Sequence, residues 1–375
     1  MKTASARLLC LLVLAAPLAR AAVLPEDRAD VMYHRYQGGG VTVQGPSVLV
    51  RKKIGDSVSV SANYYVDMIS SASIDVVTTA SPYTERREQK SLSVDYLHGK
   101  TTYSLGYVDS VESDYKSQTA TASLSQDLFG DLTTVSMGFS RGWDVVGKRG
   151  EPDFHPTVDR RNYRVGLTQI LTRNLLGTLN YETTTEQGYL QNPYRSIRYL
   201  VGGGYTHGAE IYPNTRTGNA GAVMLKYFLP WRAAVTGQYR LYADSWGILG
   251  HTARLEFTQP MWKQWLFTLS YRYYTQTAAD FYSDLFPTAN YQNFMARDKE
   301  IASYSAQTVG VMASWEYKIN RFSWLKKGSL NLGLDHMMVD YRDFRDLRVT
   351  GVTPGSEPLY SLDSNVIQAF FSFWF

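Results

Sequence analysis

The stretch Ser57-Val-Ser-Val-Ser-Ala-Asn-Tyr-Tyr-Val-Asp-Met68 decides the fold. Its even positions, Val58, Val60, Ala62, Tyr64, Val66 and Met68, are apolar or aromatic. Its odd positions are Ser57, Ser59, Ser61, Asn63 and Asp67, with Tyr65 as the one mixed residue. Successive side chains of a strand point to opposite faces, so a period of two describes a strand with one apolar and one polar side.

The same beat recurs along nearly the whole chain. Leu92, Val94 and Tyr96 alternate with Ser91, Ser93 and Asp95, and Val135, Met137 and Phe139 with Thr134, Ser136 and Gly138. Tyr163, Val165 and Leu167 oppose Arg164, Gly166 and Thr168; Ala253, Leu255 and Phe257 oppose Arg254, Glu256 and Thr258. Phe267, Leu269 and Tyr271 oppose Thr268, Ser270 and Arg272, and Val309 to Tyr317 repeat the pattern against Thr308 to Lys318. No segment carries a helical period.

A soluble β-sandwich also alternates, but its apolar face is a buried core of branched aliphatics. Here that face is rich in aromatics, in a chain with Tyr 28, Phe 15 and Trp 8, as expected of girdles at two lipid–water boundaries. The other face carries both signs of charge and many small residues, which suits a wet lumen. Connections alternate in length. Tight ones hold Gly55-Asp56, His98-Gly99-Lys100, Phe129-Gly130-Asp131, Thr172-Arg173-Asn174, Pro230-Trp231 and Pro260-Met261; long polar ones cover 72–88, 148–158, 190–216, 282–302 and 345–360. Short turns on one side and long loops on the other are the layout of an outer-membrane barrel. Fifteen strands are legible from Val41 to Phe375, and Asp30 to Tyr36 supplies a sixteenth before the flexible Gly38-Gly39-Gly40. The expected fold is an all-β transmembrane antiparallel barrel of about sixteen strands, with periplasmic turns and extracellular loops.

Composition removes other classes. The chain has 375 residues and a formal charge of +4; without Lys2, Arg7 and Arg20 it has 35 basic residues against 34 acidic ones, with no basic surplus for nucleic acid. The single cysteine, Cys10, excludes disulfides and thiolate sites from the remainder. Residues 1–21 read as a secretory signal peptide: Lys2 and Arg7, then apolar Leu8 to Leu18, then the small-x-small site Ala19-Arg20-Ala21. Residues 22–375 then form one barrel domain in the cell outer membrane, in contact with its lipid and lipopolysaccharide.

The terminus Val366-Ile-Gln-Ala-Phe-Phe-Ser-Phe-Trp-Phe375 places Ile367, Ala369, Phe371, Phe373 and Phe375 on one face. An aromatic last residue after alternating apolar ones resembles the signal by which barrel-assembly machinery captures an unpaired strand, through addition to a sheet edge. We therefore take Ile367, Phe371, Phe373 and Phe375 as the assembly signal.

Several stretches resemble a family of Gram-negative outer-membrane proteins known only as a domain of unknown function. They are Tyr33 to Val41, Gly45 to Lys53, Ser59 to Asp67, Ser73 to Tyr83, Gln169 to Asn174, Asn192 to Ser196 and Arg272 to Thr277 running into Asp280 to Phe286. The resemblance implies an outer-membrane location and, through neighbouring genes for thioredoxin-like and flavin-transferring proteins, a periplasmic redox partner. It carries over no catalytic or transport residue.

The chemistry lies on the inward face. If the alternation holds, Asp67, Asp95, Arg164, Glu182, Arg240, Arg254, Glu256, Arg272, Glu316 and Lys318 line the lumen. Such charges either cross-link the wall or line a solute path, and the two coexist. Loop carboxylates (Asp75 and Glu85; Asp280 and Asp284; Asp298 and Glu300) lack the spacing of a calcium loop and read as solvated. His336, in phase with Leu332, Leu334 and Met338, faces lipid or headgroups; with no Gly-x-Ser-x-Gly elbow it reads as an interfacial histidine. The other histidines show no metal spacing, and no cofactor or catalytic site is expected. The leading expectation is a non-enzymatic porin-like channel or envelope component. A plugged barrel docking a redox partner comes second, and a lipid-modifying enzyme third.

Overall fold

The computed structural model describes residues 23–70, 84–319 and 324–375. The signal peptide, Asp75 and the stretch Ser73 to Tyr83 lie outside them. The first nine strands are β1 (Arg28–Gly38), β2 (Val41–Ile54), β3 (Val58–Ser70), β4 (Thr84–His98), β5 (Thr101–Val111), β6 (Tyr115–Leu128), β7 (Thr133–Val146), β8 (Thr157–Thr172) and β9 (Leu175–Gly188). The rest are β10 (Ser196–Val201), β11 (Gly204–Ala209), β12 (Thr215–Phe228), β13 (Ala234–Asp244), β14 (Leu249–Met261), β15 (Trp265–Gln276), β16 (Tyr304–Lys318), β17 (Lys327–Arg345) and β18 (Leu359–Trp374).

Sixteen of them close into an antiparallel barrel, β1 pairing with both β2 and β18. The closing ladder runs unbroken from Arg28↔Trp374 to Gly38↔Ser364. Closure leaves no strand edge, which lipid would not tolerate. The weakly patterned Asp30 to Tyr36 segment thus completes the ring.

Two details differ from the sequence expectation. Pro260 and Met261 belong to β14, and the turn falls at Trp262 and Lys263, both at positive φ. Pro260 keeps its strand position because proline costs a ladder only its N–H. The long connection 189–214 contains the two-stranded sheet β10–β11, joined by Gly202 and Gly203 at φ 57° and 85°. Among the tight turns, Gly99 (φ 61°) adopts a conformation that a side chain would strain.

The apolar parity points out. Tyr64, Leu92, Leu105, Met137, Val165, Leu179, Leu255, Leu269, Leu332 and Ile367 are all exposed large hydrophobics. Scattered among protein monomers such residues need no account, but a continuous belt of them around a barrel marks lipid contact. Trp265 stacks on Trp315 across β15 and β16 at 6.2 Å, forming part of the aromatic girdle near the turns.

Gly45 has a packing role. It lies opposite His34, and a Cβ there would come within 1.8 Å of the Val66 carbonyl oxygen. The bare backbone lets the His34 ring cross β2 and reach β3, where Nε2 lies 2.8 Å from Asp67 Oδ1 and 3.0 Å from the Tyr65 hydroxyl. Gly45→Ala is expected to prise β2 from β3 and cost about 1–3 kcal/mol through overpacking. A lowered urea midpoint for the folded, heat-modifiable band on electrophoresis checks it.

Candidate functional site

All ten residues proposed for the lumen have the parity opposite to the lipid-facing belt, but the structure does not gather them into one site. Asp67 is buried against His34, and Asp95 Oδ1 accepts from Ser104 Oγ at 2.6 Å. Glu316 and Lys318 are exposed near the turns. Glu182 Oε1 accepts from Asn162 Nδ2 at 2.9 Å, and Arg254 Nη2 donates to Glu256 Oε2 at 3.0 Å. These contacts fit a cross-linked wall.

Arg164 and Arg240 differ. Together with Thr121, Ser136, Asn180 and Glu182 they line a recess of about 440 Å³. Its walls come from strands as far apart as β5 and β13, so it can only be the concave side of the sheet. Arg164 and Arg254 are exposed although they point inward.

A second arrangement at the loop end was not legible in sequence. The loop 277–303 reaches from β15 across to the far wall. Its Asp298, Glu300 and Ile301 border a chamber of about 390 Å³ together with Tyr115 of β6, Arg160 of β8 and Glu186 of β9. Arg195, from the β9–β12 connection, pairs with Asp298, and with Glu300 at 3.0 Å. Next to it, the Tyr194 hydroxyl donates to Asp114 between β5 and β6. The connections thus form a cap across the mouth.

The cap is tied by buried charge. Arg198 on β10 is fully buried; its Nε donates to the Asp284 carbonyl at 2.8 Å, its Nη2 pairs with the Asp284 carboxylate, and its Nη1 donates to Glu357 Oε1 at 2.5 Å. Arg297 Nη2 lies 2.9 Å from Asp284 Oδ1, with its guanidinium 4.4 Å from the Phe344 ring centroid. Asp284 and Asp298, expected as solvated loop residues, are therefore buried and ion-paired. Their partners Arg198 and Arg195 lie 86 and 103 positions away in the chain, beyond the reach of spacing rules. An apolar cluster of Tyr212, Trp246, Ile248, Phe281 and Ile301 fills the space beside them.

Burial raises the Glu357 carboxyl, but the hydrogen bonds from Arg198 outweigh it and hold the group below the usual glutamate range. The Tyr194 phenol is pushed up to about 12 by burial and by its bond to Asp114. His336 points outward, with Nδ1 2.9 Å from Asn365 Oδ1 on β18. The phase of Ile367, Phe371 and Phe373 is likewise outward, on the strand that closes the ring.

The family model described as "Protein of unknown function (DUF3570)" matches residues 73–163 and 155–336, more than half of the chain, and the chain belongs to that family. Among solved structures it is similar to one titled "Bacterial polysaccharide outer membrane secretin", with TM-score 0.52 and 8% identity over 94% of this chain and 100% of that one. It is also similar to the outer-membrane-expressed OmpT of Vibrio cholerae, with TM-score 0.44 and 10% identity over 94% of this chain and 100% of that one. The first is a likeness of fold alone. No curated protein matches the sequence.

Arg198→Ala strands the buried Glu357 carboxylate, leaves Asp284 to Arg297 alone, and is expected to cost the cap about 3–5 kcal/mol. Hydrogen exchange should accelerate in 277–303 and 346–358 while the barrel strands stay protected. A glutamate held low stabilises above its unfolded pKa of about 4.3 and loses that contribution as pH falls through the folded value. Acidification below that range should therefore loosen the same segments in the unmodified protein.

Proposed function

We propose that this member of the family is an outer-membrane channel for small solutes, with the cap as a sieve at its entrance. The observation that carries this reading is that Arg164, Arg254, Glu316 and Lys318 are exposed although they stand on the inward face. Sixteen-stranded barrels are wide enough to leave an aqueous channel, whereas eight-stranded ones are filled by side chains. The chamber between cap and wall supports a constricted entrance, since wall residues Arg160 and Arg216 and cap residues Asn192 and Arg195 border the same space.

The fully buried Arg198 network favours a second reading. A mouth held this firmly suits a barrel that serves as a scaffold for a redox partner at the periplasmic or outer surface. The two readings diverge in planar bilayers. The channel predicts discrete conductance steps from the refolded mature chain, and their absence from correctly folded protein would leave the scaffold. Replacing residues 196–209 by a short linker is expected to raise the unitary conductance and admit larger sugars in liposome swelling. An unchanged size limit would mean that the cap does not set it.

A further inference from the structure

Arg254 and Arg272 face each other across β14 and β15. Their rung runs from Thr168 on β8 through Thr178, Met224 and Gln238 to Arg254 and Arg272. Beyond Arg272 it passes Thr308, Met337 and Ser364 to end at Gly38, at the loop end of β1. In the other direction it passes Thr134 to Asp127, at the turn end of β6. Rungs therefore climb toward the loops as they circle the barrel, the consequence of strands tilted by about 35–45°.

That climb brings the arginines level. Arg240 stands two residues nearer the loops than Gln238, and Arg164 four nearer than Thr168, which offsets the descent of the rung from β14 to β8. With about 3 Å of rise for each strand crossed and each residue climbed, Arg164, Arg240, Arg254 and Arg272 share one level to within about 5 Å. The lipid face gives an independent check. Tyr163, Tyr239 and Tyr271 directly precede Arg164, Arg240 and Arg272, and all three are exposed large side chains pointing outward; Tyr181 stands likewise before Glu182. An aromatic girdle marks one depth in a membrane, so its inward neighbours do too.

The facing wall at this level is neutral. By the same reckoning, β2, β3, β4, β6 and β7 present Ser47, Asn63, Ser91, Thr121 and Ser140 inward, with Asn63 Nδ2 donating to Ser47 Oγ at 3.2 Å. Nearby carboxylates are Glu182, which stands opposite Arg164 on β9, lines the same recess and accepts from Asn162, Asp335 on β17, and Glu256, paired with Arg254. Among the described residues, Arg164, Arg240 and Arg272 have no carboxylate at ion-pair distance. Arg240 and Arg272 instead lie over the Tyr242 and Tyr274 rings, at 5.6 and 5.3 Å. Stacking holds the guanidinium planes while their N–H edges remain available, a fork that matches a carboxylate or phosphate.

We propose that this arginine arc makes the lumen anion-selective, and that the recess between Arg164 and Arg240 is a transit site for small solutes bearing a carboxylate or phosphate. Against the nearby Glu182, Glu256 and Asp335 the four arginines leave this wall net positive, and a net positive wall of low dielectric concentrates anions. The inference rests on the channel reading, and one experiment separates them. The refolded mature chain is placed in a planar bilayer under a KCl gradient, and inorganic phosphate is then added. Reversal at a potential favouring chloride over potassium, with millimolar phosphate reducing the chloride current, is the expected result.

Folded protein without conductance would overturn the channel reading, and the inference with it. Conductance that favours potassium or neither ion would overturn the inference alone. The Arg164→Gln/Arg240→Gln pair should lower the chloride-to-potassium permeability ratio by roughly threefold and abolish the phosphate effect, as the loss of two nearby charges in a wet pore requires. Arg164→Lys/Arg240→Lys should keep the selectivity and weaken the phosphate block. An unchanged ratio in the glutamine pair, with its fold confirmed by heat-modifiability, would refute the assignment.

Discussion

Inside hydrocarbon, a backbone N–H or C=O without a partner costs several kcal/mol, because no water is present to bond it. For a chain of strands the only general solution is to bring the last strand back to the first. The ladder between β1 and β18 does this over eleven residue pairs, from Arg28 to Gly38. Register, tilt and bore all follow from that closure. It fixes which residues share a rung, and the rungs fix which side chains meet inside.

With the ring closed, the two-residue period divides the molecule between two solvents. One face gives Leu, Val and Ile to the acyl chains and tyrosine to the boundary; the other gives serine, threonine and charge to water. The Tyr-Arg pairs at 163–164, 239–240 and 271–272 join both assignments in adjacent residues. A side chain that anchors the barrel at the membrane surface thereby sets the depth of the charge behind it.

The cap follows a different rule. Its segments pack on apolar clusters around Phe281, Phe286 and Met295, and Arg195, Arg198 and Arg297 tie them further through Asp284, Asp298 and Glu357. Buried ion pairs contribute little net stability compared with an apolar core, yet they define geometry sharply because a lost partner leaves a charge without water. Such a network restricts the loops to one arrangement over the bore.

Polarity repeating every second residue, together with turn and loop lengths, determined by itself that this chain is a sixteen-strand barrel, since both are local consequences of strand geometry. It also placed Arg164, Arg240, Arg254 and Arg272 on the inward face. It misplaced the turn after Pro260, because proline mid-strand mimics a turn signal, and it read β10 and β11 as loop, because six-residue strands carry too few alternations. Only the tertiary structure decided that Asp284 and Asp298 are buried beside arginines from another loop, that His34 crosses Gly45 to meet Asp67, and that the four arginines stand level. Each of these depends on strand tilt or on contacts between residues far apart in the chain, and neither leaves a trace in the order of neighbouring residues.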